Sequence, residues 1–268
     1  MDMIRTLAQE LGIKTGQAEA AVKLIDEGNT IPFIARYRKE VTGALNDEVL
    51  RNLYERLNYL RNLEEKKEQV IGSIEEQGKL TPELKKQILE AKTLVAVDDL
   101  YRPYRPKRRT RAIIAKERGL EPLANILSLQ QTAKTMEEEA KAYINIEKDV
   151  ETVEDALAGA MDIVAEAISD EAQYRQYIRD ITMKKGVLSS EAKDADEESV
   201  YEMYYGFSEP VAKLAGHRVL ALNRGEKEKL LTVKIEAPQE DIFRYLKKKI
   251  IRRDNPNTTP YLERTIED

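Results

Sequence analysis

The sequence contains no cysteine and no tryptophan, and it has one histidine and three phenylalanines among 268 residues. The absence of cysteine excludes disulfide bonds, thiolate metal sites and a thiol nucleophile. No long uncharged apolar run predicts a membrane span, and the N-terminal stretch MDMIRTLAQELG lacks the apolar core of a signal peptide. We therefore predict a cytoplasmic protein that has no membrane partner.

Groups that could carry catalysis or bind a metal are scarce. The one histidine, His217 in AGHRV, has no nucleophile or orienting partner that spacing reveals. Two carboxylate groups remain as metal ligands, and neither has the spacing of a calcium loop: Asp98 with Asp99, and Asp194 with Asp196, Glu197 and Glu198. We expect Asp98 and Asp99 to pair with nearby arginines. Since neither a Walker loop nor G-x-G-x-x-G occurs, the sequence predicts no enzyme, no metal site and no cofactor.

The dominant hydrophobic period is that of an α-helix. Asn46 opens the longest predicted helix, whose leucines form a seam toward Gly78, and Thr81 and Thr152 stand where helix N-caps are expected. Further helices are predicted at about 111–118, 122–129, 134–144, 153–168, 170–185 and 239–252. The acidic stretch SSEAKDADEES, in contrast, predicts a solvated loop.

The fold predicted from these patterns is mainly α. A multi-helix domain covers residues 1–186, and a linker and mixed segment follows over 187–268. At most a minor β element lies near 219–235, where Leu230–Ile235 alternates as a strand does and Val219–Asn223 fits either a hairpin partner or a helix. A last helix opens at Thr259 and has no cap before residue 268, so we expect the chain to be part of a longer protein.

The stretch LAQELGIKTGQAEAAVKLI has the sequence pattern of a helix-turn-helix, with Gly12 in the turn and Thr15 capping the second helix. That helix would present a weak set of side chains to a phosphate-lined groove: Gln17, Glu19, Ala20 and Lys23. A plain helical hairpin is therefore the simpler interpretation.

Positive charge is concentrated in LYRPYRPKRRTR, residues Leu100 to Arg111, which we call the basic strip. Residues 94–120 hold eight basic and three acidic side chains, a net charge of +5, whereas residues 121–170 hold three basic and twelve acidic ones, a net charge of −9. Pro103 and Pro106 disfavour a helix and favour an extended path. Such a polarised chain can attract a polyanion locally although its total charge is −5.

Two functions fit the basic strip. In the first, its cations follow a phosphate backbone: Arg102, Arg105, Lys107, Arg108, Arg109 and Arg111. In the second, the same arginines are staples that pair with the acidic region 121–170 and hold helices together. Tyr101 and Tyr104 either stack on bases or pin the strip to the core.

Two weaker basic sites are present. Arg36, Arg38 and Lys39 lie in one short predicted helix beside Tyr37. The second half of the 239–252 helix is also basic, but its first turn is acidic, so a solvated face that complements the helix dipole is the favoured interpretation there.

Four stretches together resemble the N-terminal part of the Tex family of bacterial transcription accessory proteins, which is related to a eukaryotic elongation factor: NTIPFIARYRKEVTGAL, DDLYRPYRPKRRTRAIIAKERGLEPLA, VEDALAGAMDIVAEAISD and HRVLALNRGEKEKLL. The resemblance covers essentially the whole chain. It implies a helical region with a helix-turn-helix-like part, followed outside this sequence by an RNase H-like domain, helix-hairpin-helix elements and an OB-fold RNA-binding domain.

The resemblance implies a non-catalytic part of a nucleic-acid-binding transcription factor. Because the family's main nucleic-acid binding is attributed to its C-terminal OB-fold, we expect weak RNA or DNA binding here, with the transcription machinery as a further partner. The alternative is a scaffold that positions the other domains or meets a protein partner. A nuclease is the least favoured hypothesis, since no catalytic residue can be transferred to this stretch.

Overall fold

A computed structural model describes residues 2–194 and 199–268. Over these residues the chain forms fifteen α-helices and one three-stranded sheet, which confirms the prediction of a mainly α fold. The chain divides into two compact units, one ending at Tyr104 and the other beginning at Arg105. The division of the chain into a helical domain and a mixed segment at residue 186 stays a prediction. None of the described helices is long and apolar enough to cross a membrane.

The first unit is built from seven helices: α1 (Met3–Leu11), α2 (Thr15–Asp26), α3 (Ile31–Tyr37), α4 (Lys39–Thr42), α5 (Asp47–Glu76), α6 (Pro82–Glu90) and α7 (Leu94–Tyr101). Asn46 and Thr81 cap α5 and α6 through their side chains, as predicted. The predicted cap at Thr15 is displaced by one residue: Lys14 is the N-cap of α2, and its N–H donates to Gln17 Oε1 at 3.1 Å.

Helix α5 organises both hydrophobic clusters of the first unit. Leu50 to Leu60 pack against α1 and α2, while Leu63, Val70 and Ile74 pack with α6 and α7. The buried Lys67 lies on the same face, and its Nζ donates to Glu64 Oε1 at 2.8 Å and to the Leu89 carbonyl at 2.9 Å. These bonds satisfy the buried ammonium, and one of them joins α5 to the end of α6.

The second unit contains eight helices and three strands. The helices are α8 (Arg111–Glu117), α9 (Glu121–Leu129), α10 (Met136–Ala140), α11 (Val153–Asp170), α12 (Ala172–Lys185), α13 (Gly216–Lys227), α14 (Gln239–Ile250) and α15 (Thr259–Glu267). Helix α11 is central, because α8, α9 and α15 all pack on it. Thr152 and Asp155 form the predicted capping box at its start.

The sheet consists of β1 (Val187–Ala192), β2 (Phe207–Pro210) and β3 (Leu231–Glu236), in the order β2-β1-β3 with antiparallel pairing. Leu188 is paired with Glu209 on one side and Ile235 on the other. The predicted strand at Leu230–Ile235 is confirmed within one residue. Val219–Asn223 is helical, within α13, so the strand's partner is β1. The first residues of the expected acidic loop belong to β1, and Asp196 to Glu198 lie outside the described residues.

Candidate nucleic-acid interface

The basic strip changes conformation along its length. Tyr101 ends α7, Arg102–Tyr104 form a 3₁₀ turn, and an irregular segment leads to α8, where the Ile113 N–H donates to Thr110 Oγ1 at 3.2 Å. The predicted extended path is therefore wrong for the first part of the strip. Pro103 fits a short turn, because residues at the start of a helical turn have no internal partner for the N–H that proline lacks.

Tyr101 and Tyr104 belong to the first unit and are half-buried in the cluster formed by α5, α6 and α7. The hydroxyl of Tyr101 is 3.0 Å from Ser73 Oγ on α5. The amide of Gln77 donates to the Tyr104 carbonyl at 3.0 Å. These contacts support the pinning role for both tyrosines, while Arg102 between them is exposed.

In the second unit, Lys107 ties the strip to the end of α11. Its ammonium contacts the Asp170 carboxylate and lies 3.4 Å from Glu166 Oε1. Thr110 Oγ1 donates to the same Glu166 oxygen at 2.9 Å. The lysine is 22% exposed and Asp170 is 9% exposed, so the pair is shielded from much of the solvent. Lys107 therefore has the staple role that the second alternative assigns to the arginines.

Arg109 and Arg111 form ion pairs on the surface. Arg109 Nη2 lies 3.0 Å from Glu117 Oε2, and both side chains are more than half exposed. Arg111 lies 3.3 Å from Asp162 and 2.7 Å from Asp268. Burial raises the pKa of the Asp162 carboxyl, although the charge of Arg111 opposes that shift. Exposed pairs of this kind contribute little to folding stability, at most about 1 kcal/mol each.

Arg105 and Arg108 differ from their neighbours. Both side chains are exposed, and neither forms an ion pair with any acidic residue of the described chain. The segment from Arg105 to Arg109 therefore alternates: Lys107 points to α11, and the cations on either side of it face solvent. The staple alternative therefore fits Lys107, while the phosphate track stays a prediction for Arg105 and Arg108.

The second predicted basic site lies in the first unit, and the single short helix predicted for it is wrong, because α3 ends at Tyr37 and α4 begins at Lys39. Arg36, Arg38 and Lys39 are exposed and form no ion pair within the described residues. The Arg38 guanidinium lies 5.4 Å from the ring centre of Phe33, which is 36% exposed, and Arg36 lies 5.9 Å from that of Tyr37. Phe33 was not predicted as a site residue. The sequence does place it four residues before Tyr37 on one helix, and this spacing indicates that the two rings are neighbours.

The candidate carboxylates have other roles. Asp98 lies 3.2 Å from Lys66, so its partner is a lysine and not the expected arginine, and Asp99 is buried. Within residues 2–194 and 199–268, no three acidic or histidine side chains form a group that could hold a metal ion. His217 is exposed in the first turn of α13.

The stretch predicted as a helix-turn-helix forms α1 and α2, which pack on each other. Gln17, one of the residues expected to face outward, donates through Nε2 to the carbonyls of Thr42 at 3.2 Å and Gly43 at 2.9 Å. This side chain is committed to holding the end of α4. The contacts favour the helical hairpin over a groove-reading helix.

These features define a class, a mainly α-helical protein that presents unpaired arginines beside structural ion pairs. Residues 1–75 match the family described as the Tex-like protein N-terminal domain, and residues 131–259 match the Tex central region-like family. The chain belongs to the Tex family.

Curated relatives agree with this assignment. The chain is 48% identical over 266 residues to the uncharacterised protein YdcI of Bacillus subtilis, covering 98% of this chain and 37% of the relative. It is 43% identical over 244 residues to the transcriptional accessory protein Tex of Neisseria gonorrhoeae, covering 90% and 32%. It is 30% identical over 244 residues to the human S1 RNA-binding domain-containing protein 1, covering 87% and 24%. The chain thus spans about a third of its bacterial relatives.

Proposed function

We propose that this chain is a non-catalytic, nucleic-acid-binding part of a cytoplasmic transcription accessory protein, and that it contacts phosphates of RNA or DNA through the basic strip. The name of the Neisseria relative supports the transcriptional role, and the name of the human relative supports RNA as a ligand of the family. The transcription machinery is a further proposed partner.

The observation that carries this proposal is the exposure of Arg105 and Arg108 beside a fixed Lys107. An unpaired guanidinium keeps its planar fork available for phosphate oxygens. The backbone that carries both arginines is held to α11 by Lys107 and Thr110, so less freedom is lost when a strand binds.

Arg36, Arg38 and Lys39 form a second proposed contact, within the first unit. Cations that lie beside exposed aromatic rings are typical of surfaces that bind single strands, because bases stack on the rings while phosphates meet the cations. Phe33 and Tyr37, whose ring centres are 5.3 Å apart, supply the rings.

The proposal includes no catalysis and no cofactor. Hydrolysis of a phosphodiester at neutral pH needs clustered carboxylates that hold metal ions, or a nucleophile with its base. Asp98 is paired with Lys66, Asp99 is buried, and neither belongs to a group of three possible metal ligands among the described residues. Purified protein should leave RNA and DNA intact with Mg²⁺ or Mn²⁺ present.

A scaffold that positions other domains, or docks a protein, is the second candidate. The ion pairs of Lys107 and Arg111 favour it, because they use part of the strip to hold α8 and α11 together. In that case Arg105, Arg108 and Arg109 would be surface charges without a nucleic-acid ligand.

The test compares a strip variant, Arg105→Ala with Arg108→Ala and Arg109→Ala, with the native chain. Each phosphate contact contributes about −0.7 to the slope of log affinity against log salt for single strands, so we expect the slope to become smaller by roughly two. The thermal midpoint should stay nearly unchanged, since all three side chains are exposed. The readout is fluorescence anisotropy with a labelled oligo-uridine.

A matched control removes three other cations of the second unit that are exposed and unpaired within the described chain: Lys141→Ala, Lys213→Ala and Lys227→Ala. The control changes the net charge equally and should keep most of the slope. If the strip variant keeps the native slope and midpoint while the native chain binds RNA, the strip is not the contact. If the native chain does not bind at all, the scaffold candidate is favoured.

A further inference from the structure

The end of α14 carries four cations that no acidic residue of the described chain neutralises. We call Lys248, Lys249, Arg252 and Arg253 the α14 terminal cluster; all four are exposed. Other cations of the same helix are paired: Arg244 lies 3.4 Å from Asp241, and Lys247 lies 3.1 Å from Glu263. Asp254 is the only acidic residue between positions 247 and 255.

Complementing the helix dipole does not explain the whole cluster. The dipole acts on charges within the last turn, where Lys247, Lys248 and Lys249 already lie. Arg252 and Arg253 follow the last helical residue, Ile250, and continue the positive charge along the exit segment. The helix dipole therefore accounts for the lysines of the last turn but not for the two arginines beyond it.

A buried glutamine fixes the backbone of the two arginines. Gln130 Oε1 accepts from the N–H groups of Arg252 at 2.9 Å and Arg253 at 3.1 Å, and its Nε2 donates to the Ile250 carbonyl at 2.7 Å. Asn255 secures the other side by donating to the carbonyls of Gln130 at 3.2 Å and Thr132 at 3.0 Å. We call this arrangement the Gln130 latch.

The backbone of Gln130 is itself strained, which indicates that the surrounding contacts hold this residue in place. Gln130 has a φ of 56°, in the left-handed region that non-glycine residues rarely adopt. On the helix side, Lys249 lies 5.8 Å from the ring centre of Tyr245, which stacks on Tyr177 with ring centres 3.6 Å apart. Both ends of the cluster are thereby ordered before any ligand binds, which reduces the entropy lost on binding.

We infer that the α14 terminal cluster is a second phosphate-contacting surface, which binds the backbone of a nucleic-acid strand. This inference deepens the proposed function by naming a contact outside the basic strip, and it rests on nucleic acid being the ligand.

The test uses the whole chain and a cluster variant, Lys248→Gln with Arg252→Gln and Arg253→Gln. We expect the salt slope for a labelled oligo-uridine of about twenty nucleotides to fall by roughly two. The ratio of the native affinity to the variant affinity should then decrease about 16-fold as the salt concentration rises from about 50 to about 200 mM. The Lys141, Lys213, Lys227 control variant should change little. Circular dichroism checks that the cluster variant is folded.

The strip and cluster variants separate the two proposals. A cluster variant with the native slope, beside a strip variant with a reduced one, overturns this inference and leaves the proposed strip contact in place. The reverse result supports the cluster and removes the strip. Poly-glutamate that competes as well as RNA at equal charge would overturn the assignment to nucleic acid, because an acidic protein segment would then fit the cluster equally well.

Discussion

Neighbouring cations in the basic strip have different tasks because their surroundings differ. Lys107 lies against two carboxylates on α11 and is 22% exposed, whereas Arg108 is exposed and has no acidic partner in the described chain. A charge in a partly buried pair cannot be removed without leaving its partner poorly solvated, whereas water replaces the surroundings of an exposed charge readily. Charge alone therefore does not tell which residue serves stability and which serves binding.

The change Lys107→Ala tests this division. We expect the free energy of unfolding to fall by about 1–3 kcal/mol, because Asp170 and Glu166 lose the ammonium that lies between them. The matched change Arg108→Ala should stay within about 0.5 kcal/mol of the native value. Urea denaturation followed by circular dichroism measures both, and equal midpoints for the two variants would contradict the assignment.

The pair of Glu10 and Arg56 predicts a pH dependence. Arg56 donates from Nε at 2.6 Å and from Nη2 at 2.8 Å, and these hydrogen bonds hold the pKa of Glu10 below its ordinary value. Since the folded pKa is the lower one, the pair stabilises the fold above the unfolded pKa, and that contribution is lost as pH falls through the folded pKa.

Glu10→Gln should therefore lower the free energy of unfolding at about pH 7 by less than about 1 kcal/mol, because the pair is partly exposed. The thermal midpoint should fall slightly as a result. The difference between native and variant should shrink as pH falls below the ordinary pKa of a glutamate, about 4.3. Melting curves at several pH values provide the measurement. A difference that is constant with pH would show that the carboxylate charge has no role.

At the scale of elements, the sequence predicts helices well where a cap and a period coincide. Asn46 and the leucine seam locate α5, and Thr152 with Asp155 locates α11. Helix α7 was not predicted although Thr93 caps it, because its apolar residues Leu94 to Val97 are consecutive and show no helical spacing. Strand β1 was missed because one of its two buried positions is Ser190, whose hydroxyl donates to the Tyr204 carbonyl at 2.7 Å. A satisfied polar residue hides the alternation that identifies a strand.

The Gln130 latch gives a prediction for one element. Gln130→Gly removes the side chain while glycine keeps the left-handed backbone, so the exit of α14 should loosen without a change of fold. The amides of Arg252 and Arg253 should lose protection from hydrogen exchange, since both donate to Gln130 Oε1. The neighbouring Gln131→Gly, at an exposed position, is the matched control and should leave both amides protected. Unchanged exchange in the Gln130 variant would disprove the latch.

At the scale of the molecule, much of the candidate site could not be predicted. The sequence identifies the basic strip and the acidic stretch after it, but Lys107 and Asp170 are 63 positions apart. Which cation meets a carboxylate depends on how α8 packs on α11, and no local pattern encodes that packing. The latch between Gln130 and Arg252 spans 122 positions and was not predicted either.

The first unit carries the last prediction. Its two hydrophobic clusters are formed by residues up to Tyr104, and α5 runs through both. A chain that buries its own core can fold alone, so we expect a fragment of residues 1–104 to give a helical circular dichroism spectrum and a cooperative thermal transition.

A shorter fragment, residues 1–90, is the matched comparison. It lacks α7 and with it the buried Val97 and the Tyr101 hydroxyl that bonds Ser73. Leu63, Val70 and Ile88 would then be partly exposed to solvent. The loss of even one large buried side chain lowers the free energy of unfolding by about 2–5 kcal/mol. The 1–90 fragment should therefore melt at a lower temperature than 1–104. A 1–104 fragment that melts without cooperativity, or that binds a hydrophobic dye as strongly as 1–90, would show that its core is incomplete.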